Sequence, residues 1–200
     1  YRALAAEYDI DADVVYEGRI SHQENLALVN LLSIDLIRFS DAVPLDTYDG
    51  AVFIDNQGTT TRLAARLEEA GIPALAVIDH HAPQGVLQPE FTDVRPVGAA
   101  ATILIDYLRS GEIVELDPDD ASHVKLATAL VHGLRTETNG LVRAGAEELL
   151  AASYLSRLLD PELLEGIMRV QRSHGTMDVI ETALSDRLIR GGFSLAGVGY

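Results

Sequence analysis

The amino-acid sequence predicts an α/β fold in which a parallel sheet carries helices on both faces. Two segments, 50–56 and 74–81, are short and apolar until they end in acidic or imidazole side chains. Segments of helical periodicity separate such runs, and strands without polar alternation are typical of parallel sheets buried on both faces. The chain has 200 residues, 48% of them apolar, which is enough to build the core of such a fold.

Strands and helices alternate through the first half of the chain. The β-branched and aromatic run at 14–16 predicts the first strand, and Gly18 ends it. Ser21 and Glu24 have the spacing of a capping box, which predicts that a helix opens there and runs through 25–32. Apolar runs and Gly or Pro stops predict the other elements: strands at 35–39, 50–56 and 74–81, and a helix at 59–71.

The second half is predicted to be mainly helical. A short strand at 91–96 precedes a helix at 98–110, whose small first residues would let its free N–H groups approach an anion closely. Within 120–140 the apolar residues follow the i, i+3, i+4, i+7 spacing of a helix core stripe: Ala127, Leu130, Val131 and Leu134. The remaining predicted elements are a helix at 144–169 with a break near Pro161, a helix from about 175, and a strand at 191–200.

Composition limits the chemistry and the partners. The chain has no cysteine, so any metal must be held by oxygen and imidazole ligands, which suits Mg, Mn or Zn. The net charge of −16 repels nucleic-acid backbones and argues against a groove for long DNA or RNA. No apolar run approaches the roughly 20 residues that span a bilayer, and no signal segment is present, so the sequence predicts a cytoplasmic protein without a membrane partner.

The charged residues are also unusual in kind. Lys125 is the one lysine among 15 basic residues, against 31 acidic ones. A cytosol with molar salt explains this balance, because a dense layer of carboxylates keeps a protein hydrated there. Codon bias towards arginine with an ordinary acidic surface is the alternative. The halophilic interpretation is the one we carry forward.

A candidate site follows the predicted strands at their carboxyl ends. Asp79, His80 and His81 end one strand, and Asp55 ends its predicted neighbour. Ligands of α/β sheets bind beyond the carboxyl ends of the strands, and a second acid there can bridge two cations. The alternatives are that Asp79 and the histidines cap a helix or fill a loop, and that Asp55 forms a turn before Asn56 and Gly58.

Three charged residues near the end of the 120–140 helix are weaker candidates. Glu137 lies just beyond the core stripe and before Gly140, where a solvated helix-end acid is the ordinary interpretation. Arg135 and Arg143 flank it and are candidates for binding a phosphate, although arginines of acidic chains commonly form surface ion pairs. The other histidines are predicted to be surface or partly buried residues: His22 at a helix start, His123, His132 and His174.

The ordered motifs of the chain resemble the DHH phosphoesterase superfamily, with nanoRNA hydrolases and phosphoadenosine phosphate phosphatases as the most similar members. The matching segments occur in the family's order and cover most of residues 18–155: GRISHQEN, AVFIDNQ, VIDHH, GAAATIL, ATALVHGLRTETNG and AEELLAASYL. This ordered set is far more specific than the Asp79-His80-His81 motif alone.

The resemblance implies roles for the candidate residues. Asp55 corresponds to the carboxylate that bridges two Mn²⁺ ions, His80 to an imidazole ligand, and His81 to the histidine that faces the phosphate. Asp79 would orient the site as an acceptor that fixes an imidazole tautomer. Glu137 falls where the family places an aspartate ligand, so its ligation departs from the pattern. Asp55, Asp79, His80 and His81 are thus the predicted catalytic group.

The implied function is a metal-dependent phosphoesterase that acts on phosphate mono- or diesters of small nucleotides or short oligonucleotides. Hydrolysis would use a water activated by two Mn²⁺ ions, with Mg²⁺ as an alternative. Two other functions stay open: a non-catalytic nucleotide-sensing or assembly module with a degenerate site, and an inorganic pyrophosphatase. A homodimer is compatible with the sequence.

The resemblance also predicts the domain organisation. Residues 1–155 would form the DHH-type catalytic domain, 156–190 a helical connector, and 191–200 the start of a C-terminal substrate-binding domain. The family's N-terminal His-x-x-x-Asp-x-Asp motif has no match before Asp55. We therefore expect that motif upstream of Tyr1, and expect the chain by itself to be inactive.

Overall fold

A computed structural model describes residues 1–40, 43–169 and 174–197 and divides the chain into two compact units, Tyr1–Met168 and Arg169–Tyr200. Parts of two predicted segments lie outside the described residues, namely 170–173 of the connector and 198–200 of the C-terminal strand. The predicted boundaries at 155 and 190 stay predictions.

The first unit contains the predicted succession of strands and helices. Their bounds in chain order are α1 Arg2–Ala6, β1 Val15–Tyr16, α2 Gln23–Leu32, β2 Ile37–Arg38, β3 Ala51–Ile54, α3 Leu63–Glu69, β4 Ala74–Asp79, β5 Phe91–Val94, α4 Ala100–Arg109, α5 Ala121–Glu137, α6 Ala146–Leu155 and α7 Pro161–Met168. A 3₁₀ turn at Leu45–Thr47 and α1 were not predicted. The predicted break near Pro161 is confirmed, because that residue begins α7.

All strand pairs of the first unit are parallel. β1 pairs with β2, while β3, β4 and β5 form a three-stranded sheet with β4 in the middle. In this sheet Phe53 lies opposite Val77 and Ile54 lies opposite Ile78. Because β3 and β4 run in the same direction and in register, both deliver their next residues to the same edge of the sheet.

Helices cover both faces of the three-stranded sheet. On one face Phe53 and Val77 pack with Leu67 of α3. On the other face Ile78 packs with Ile103 and Leu104 of α4. Successive strand residues point to opposite faces, so a strand that is apolar throughout is buried on both. The predicted α/β class is therefore confirmed.

A second apolar cluster joins the helices that follow the sheet. Ile105 and Leu108 of α4 pack with Leu134 of α5 and Leu155 of α6, and all four side chains are almost fully buried. This packing fixes the direction of α5, whose last residue is Glu137.

Two predicted helix starts are wrong. α2 begins at Gln23 after His22, and no side-chain bond caps it, so Ser21 lies too far upstream to form the capping box. α3 begins at Leu63, because threonines that the sequence placed in the helix bind loop side chains instead. Thr61 Oγ1 donates to Glu17 over 2.7 Å, and Asn56 Nδ2 donates to Thr60 Oγ1 over 2.8 Å.

The second unit contains α8 His174–Ser185, β6 Leu188–Arg190 and β7 Phe193–Leu195. β6 and β7 pair antiparallel through Gly191 and Gly192, which both have positive φ angles of 54° and 82°. The predicted strand at 191–200 is thus the second arm of a hairpin. A Gly-Gly pair between apolar runs is a known hairpin signal, and the sequence prediction missed it.

Among the described residues, no helix combines the length and the apolar character that crossing a bilayer requires.

Acid pH is expected to destabilise the first unit through His132 of α5. This side chain is 2% exposed, and burial lowers its pKa; Glu24 opposes that effect, whereas Arg135 and His22 add to it. The folded pKa lies below the unfolded value of about 6.5, so its contribution to stability is present above pH 6.5 and is lost as the pH falls further. Urea unfolding at pH 7.5 and 5.5 measures the change. Between these pH values the free energy of unfolding should fall less in His132→Gln than in wild type, and equal decreases would contradict the prediction.

High salt is expected to stabilise the protein. The charge of −16 repels itself in dilute buffer, and molar salt shortens the Debye length to about 3 Å. The melting temperature should therefore rise between low and molar KCl. A flat melting temperature would contradict the halophilic interpretation.

Candidate metal centre

Four predicted site residues meet at the carboxyl ends of β3 and β4. Asp55 directly follows β3, Asp79 ends β4, and His80 and His81 come next. The Asp55 amide donates to the carbonyl of Ile78 over 2.9 Å, which ties the two strand ends together. One ligand atom from each of the four residues lies within 4.8 Å of the others. Parallel strand direction thus brings together residues that are 24 positions or more apart.

Asp55 lies in an uncommon backbone conformation. Its φ of 57° is in the left-handed region, which aspartate and asparagine enter more easily than most residues. Such a conformation costs of order 1–3 kcal/mol and is concentrated at functional sites. Asn56 forms the turn that follows, because its Oδ1 accepts from the Gly58 amide over 2.7 Å. The expected turn and the candidate ligand therefore occupy consecutive residues.

The side chain of Asp55 is 46% exposed and faces both histidines. Its Oδ1 lies 3.2 Å from His80 Nε2 and 3.6 Å from His81 Nδ1. Burial is the main cause that raises its pKa, and the charges of Asp79 and Glu137 raise it further against the opposing imidazoles. A cation at this carboxylate would relieve that unfavourable environment.

Asp79 is a buried acceptor for hydrogen bonds around the site. Its Oδ1 accepts from the amides of His80 and His81 over 2.6 and 3.0 Å, and from His81 Nδ1 over 2.8 Å. Its Oδ2 accepts from Gln57 Nε2 over 2.9 Å. Burial raises the pKa of Asp79, but these donors outweigh it and lower the pKa overall. These hydrogen bonds hold the two histidine amides, the His81 ring and Gln57 around the Asp79 carboxylate.

Gln57 is a site residue that the sequence prediction missed. It is buried, and besides Asp79 its Nε2 donates to the Ala82 carbonyl over 3.2 Å. Its Oε1 accepts from the Gln84 amide over 2.9 Å. One amide side chain therefore joins the loop after β3 to the loop after β4. The available signal was a large polar residue two positions after Asp55 within the motif AVFIDNQ.

His80 directs its Nε2 at Asp55. Its side chain is 12% exposed, and Nδ1 lies 3.1 Å from the Val97 carbonyl oxygen. A carbonyl oxygen only accepts, so Nδ1 carries the hydrogen and Nε2 of the neutral ring is an acceptor. Nε2 is buried and has no hydrogen-bond partner among the described residues, although Asp55 Oδ1 is 3.2 Å away. His80 Nε2 and Asp55 Oδ1 are close enough to bind the same cation.

His81 is the most exposed member of the group. Its side chain is 57% exposed, and the hydrogen bond to Asp79 is the largest of the causes that raise its pKa. The protonated ring donates through both nitrogens, of which Nδ1 is already bonded to Asp79. The other N–H remains available to an anion that approaches from solvent.

Glu137 lies near the group but outside it. It is exposed at the end of α5, and it does not belong to the ligand cluster found among the described residues. Its negative charge nevertheless contributes to the raised pKa of both Asp55 and His81. The structure thus brings Glu137 within electrostatic range of the site.

A substitution series at Glu137 is expected to show whether it binds the metal. Glu137→Asp should keep or improve Mn²⁺ affinity, because the family pattern has aspartate there, whereas Glu137→Ala should lose at least about tenfold. Isothermal titration calorimetry with Mn²⁺ measures both. Equal affinity in wild type and both variants would remove Glu137 from the site.

The two predicted phosphate-binding arginines are not in contact with the four-residue group among the described residues. Arg135 is partly buried beside His132, whose pKa it lowers, and its Nη1 is buried without a hydrogen-bond partner in that part of the chain. Arg143 is exposed in the turn after α5, where its amide donates to the Thr138 carbonyl over 2.9 Å. Phosphate binding by either stays a prediction.

The Gly98 amide, which precedes α4, is already hydrogen-bonded within the chain. The Gly98 amide donates to Glu148 Oε1 over 2.8 Å. A carboxylate of the same chain therefore occupies this amide, and the approach of an anion to the first N–H groups of α4 itself stays a prediction.

No protein-family model matches the chain. An uncharacterized protein of Methanocaldococcus jannaschii is 35% identical over 201 residues, which include 99% of this chain. The chain spans about two fifths of the length of this curated relative, or 39%.

Solved structures share the fold. The chain resembles an exopolyphosphatase-related protein from Bacteroides fragilis with a TM-score of 0.60 and 14% identity, covering 94% of this chain and 65% of that one. It also resembles a Methanococcus jannaschii protein assigned as a family II inorganic pyrophosphatase, with a TM-score of 0.56 and 18% identity over 78% of this chain and 49% of that one. At these identities the likeness shows the fold alone.

Proposed function

We propose that the chain provides the metal-binding α/β domain of a DHH-type phosphoesterase. Its substrates would be phosphate mono- or diesters of small nucleotides or short oligonucleotides. Fold likeness to an exopolyphosphatase-related protein and to a protein assigned as a pyrophosphatase supports phosphate chemistry. The acidic surface favours short substrates over long nucleic acids.

One observation carries the proposal. The buried Nε2 of His80 and Oδ1 of Asp55 face each other at 3.2 Å, and neither has a hydrogen to donate when the ring is neutral and the acid ionised. Oxygen and imidazole donors suit Mn²⁺, Mg²⁺ or Zn²⁺. Mn²⁺ would be held by Asp55 and His80, with Glu137 as a further ligand, and Asp55 would also serve a second ion.

Bound divalent ions would lower the pKa of water and offset charge on the phosphoryl oxygens. The residues of the chain divide the remaining work. Asp55 and His80 hold the cation, and Asp79 fixes His81 by accepting from both its amide and its Nδ1. Protonated His81 donates its free N–H to a phosphoryl oxygen. This charge-assisted bond strengthens as negative charge develops on that oxygen.

A pyrophosphatase is the second candidate, because one of the similar structures is assigned to that activity. Both candidates need the same cation at Asp55 and His80 and differ in the leaving group. The alternative that is not an enzyme is a nucleotide-sensing or assembly module. It would bind nucleotide without turning it over.

The test is hydrolysis by the full-length protein with Mn²⁺ on three substrates: a short oligonucleotide, adenosine bisphosphate and pyrophosphate. Activity on either nucleotide substrate that is lost in His80→Gln supports the phosphoesterase. Activity on pyrophosphate alone supports the second candidate. Nucleotide binding without turnover of any substrate, or activity that His80→Gln leaves unchanged, contradicts the proposal.

A further inference from the structure

Glu148 is a buried carboxylate that the proposed chemistry does not use. It is 4% exposed in the first turn of α6. Its Oε1 accepts from the Gly98 amide over 2.8 Å and from Thr102 Oγ1 over 3.3 Å, while Oε2 accepts from the Gly145 amide over 2.7 Å. Burial raises its pKa, but these donors prevail and lower it overall. The buried side chain is therefore ionised.

The peptide group that Glu148 binds is the same one that His80 binds. Between Val97 and Gly98, the N–H donates to Glu148 and the C=O accepts from His80 Nδ1 over 3.1 Å. A carboxylate that accepts a hydrogen bond from a peptide N–H polarises the peptide and increases the negative charge on the peptide's carbonyl oxygen. The two hydrogen bonds therefore strengthen each other. A negative group 68 positions away in sequence thus acts on the imidazole.

The close approach of Glu148 depends on a residue without a side chain. A Cβ placed on Gly98 would lie 2.9 Å from Glu148 Cδ and 3.1 Å from Thr138 Cγ2. Both distances are shorter than ordinary carbon contacts. The glycine at 98 is therefore explained by this contact, since its backbone does not have the positive φ that favours glycine.

We propose that Glu148 is a positioning residue that holds His80 in the Nδ1–H tautomer through the Val97–Gly98 peptide. In this tautomer Nε2 keeps its lone pair directed at Asp55 and at the cation of the proposed function, on which the inference rests. Histidine ligands generally donate their second ring N–H to a carbonyl or carboxylate, and such partners affect metal affinity about 10- to 100-fold. Here the carbonyl belongs to a peptide group whose N–H donates to the carboxylate of Glu148.

The first measurement uses the unmodified, metal-free protein. Long-range ¹H–¹⁵N spectra of histidine-labelled protein report the tautomer of each ring, and His80→Gln identifies the signals of His80. We expect the Nδ1–H form for His80, and a Gly98 amide proton that is shifted downfield and protected from exchange. An Nε2–H tautomer, or an unprotected Gly98 amide, would overturn the proposal without any variant of Glu148.

The second measurement compares Glu148→Gln with Asp160→Asn. Gln offers one acceptor and an NH₂ group that opposes a backbone N–H, so the His80 tautomer should become mixed and Mn²⁺ affinity should fall about tenfold. Asp160 is the matched control, because it also accepts amides at a helix start, from Glu162 and Leu163, without a link to His80. The Asp160→Asn protein should keep the wild-type tautomer of His80 and the wild-type affinity for Mn²⁺.

The outcomes separate this inference from the proposed function. A folded Glu148→Gln protein with the wild-type tautomer and Mn²⁺ affinity overturns the inference while the proposed function stands. A tautomer that depends on Glu148 in a protein that binds no Mn²⁺ supports the positioning role and contradicts the proposed function. If Glu148→Gln does not fold, the two readouts on unmodified protein decide.

Discussion

Replacing Asp55 by asparagine is expected to lower phosphoester hydrolysis by the full-length protein about 1,000-fold or more. In the proposed function this carboxylate would support two cations, and a loss of about 4 kcal/mol of transition-state stabilisation corresponds to about 1,000-fold. The loss should exceed that of any other single carboxylate substitution. Glu137→Gln should lower hydrolysis less than Asp55→Asn does, since Glu137 is an exposed acid outside the four-residue group.

The same substitution should leave the metal-free protein as stable as wild type at pH 7, or more stable. Burial and the charges of Asp79 and Glu137 raise the pKa of Asp55, so its ionised form is disfavoured in the folded state. Asparagine has the same shape, carries no charge and also tolerates the φ of 57° at this position. Turnover and urea unfolding, measured on one preparation, test both statements. Near-wild-type activity in Asp55→Asn with none in Asp79→Asn would refute the ligand assignment.

Asp79→Asn is expected to act in the opposite way on stability. The buried carboxylate accepts from two amides, one imidazole and Gln57, and an asparagine NH₂ would confront one of these donors. Leaving a buried donor unsatisfied costs about 2–3 kcal/mol when its partner was charged. For a chain of 200 residues this lowers the melting temperature by about 5–10 °C. Activity should fall as well, because His81 loses its fixed position.

Urea unfolding of the metal-free protein measures this effect without dependence on the ion. The informative comparison is with Asp55→Asn, which removes a carboxylate oxygen 3.2 Å from His80 Nε2 and 3.6 Å from His81 Nδ1. Equal stability of the two variants would show that the hydrogen bonds of Asp79 do not organise the site. A second variant, Gln57→Leu, should reproduce part of the loss, since it removes the donor to Asp79 Oδ2.

The two acids differ because of where the sheet places them. Asp79 is the last paired residue of β4 and is covered by the loops that follow, whereas Asp55 lies one residue beyond β3 and is nearly half exposed. Burial with donors makes one acid a structural anchor. The Asp55 carboxylate is open to solvent, and in the proposed function it binds the cation.

Much of this arrangement could be predicted from the residues in order. Apolar runs that end in Asp55 and in Asp79, His80 and His81 predict parallel strands, and parallel strands end at one edge. The core stripe with Leu134 likewise predicts that Glu137 ends a helix, as it does in α5. Local signals failed where a long-range partner competed, as at Thr61, whose hydroxyl binds Glu17 and stays out of α3.

The partners of the site residues were beyond sequence reasoning. Gln57 binds Asp79 across 22 positions, His80 binds the Val97 carbonyl across 17, and Glu148 binds the Gly98 amide across 50. Each pair joins a side chain to a loop or helix start that has no periodic pattern of its own. No spacing in the sequence distinguishes these pairs from the many that do not meet.

The sequence by itself determined the α/β class, the strand ends at which the acids and imidazoles stand, and the absence of thiolate ligands. Those features follow from periodicity and composition, which act over a few neighbouring residues. Only the tertiary structure decided which acid is anchored, which nitrogen of His80 is left as an acceptor, and that the anion at Gly98 is Glu148. These choices depend on hydrogen bonds whose partners come from separate elements, and the packing of α4 against the sheet and of α5 and α6 against α4 sets their geometry.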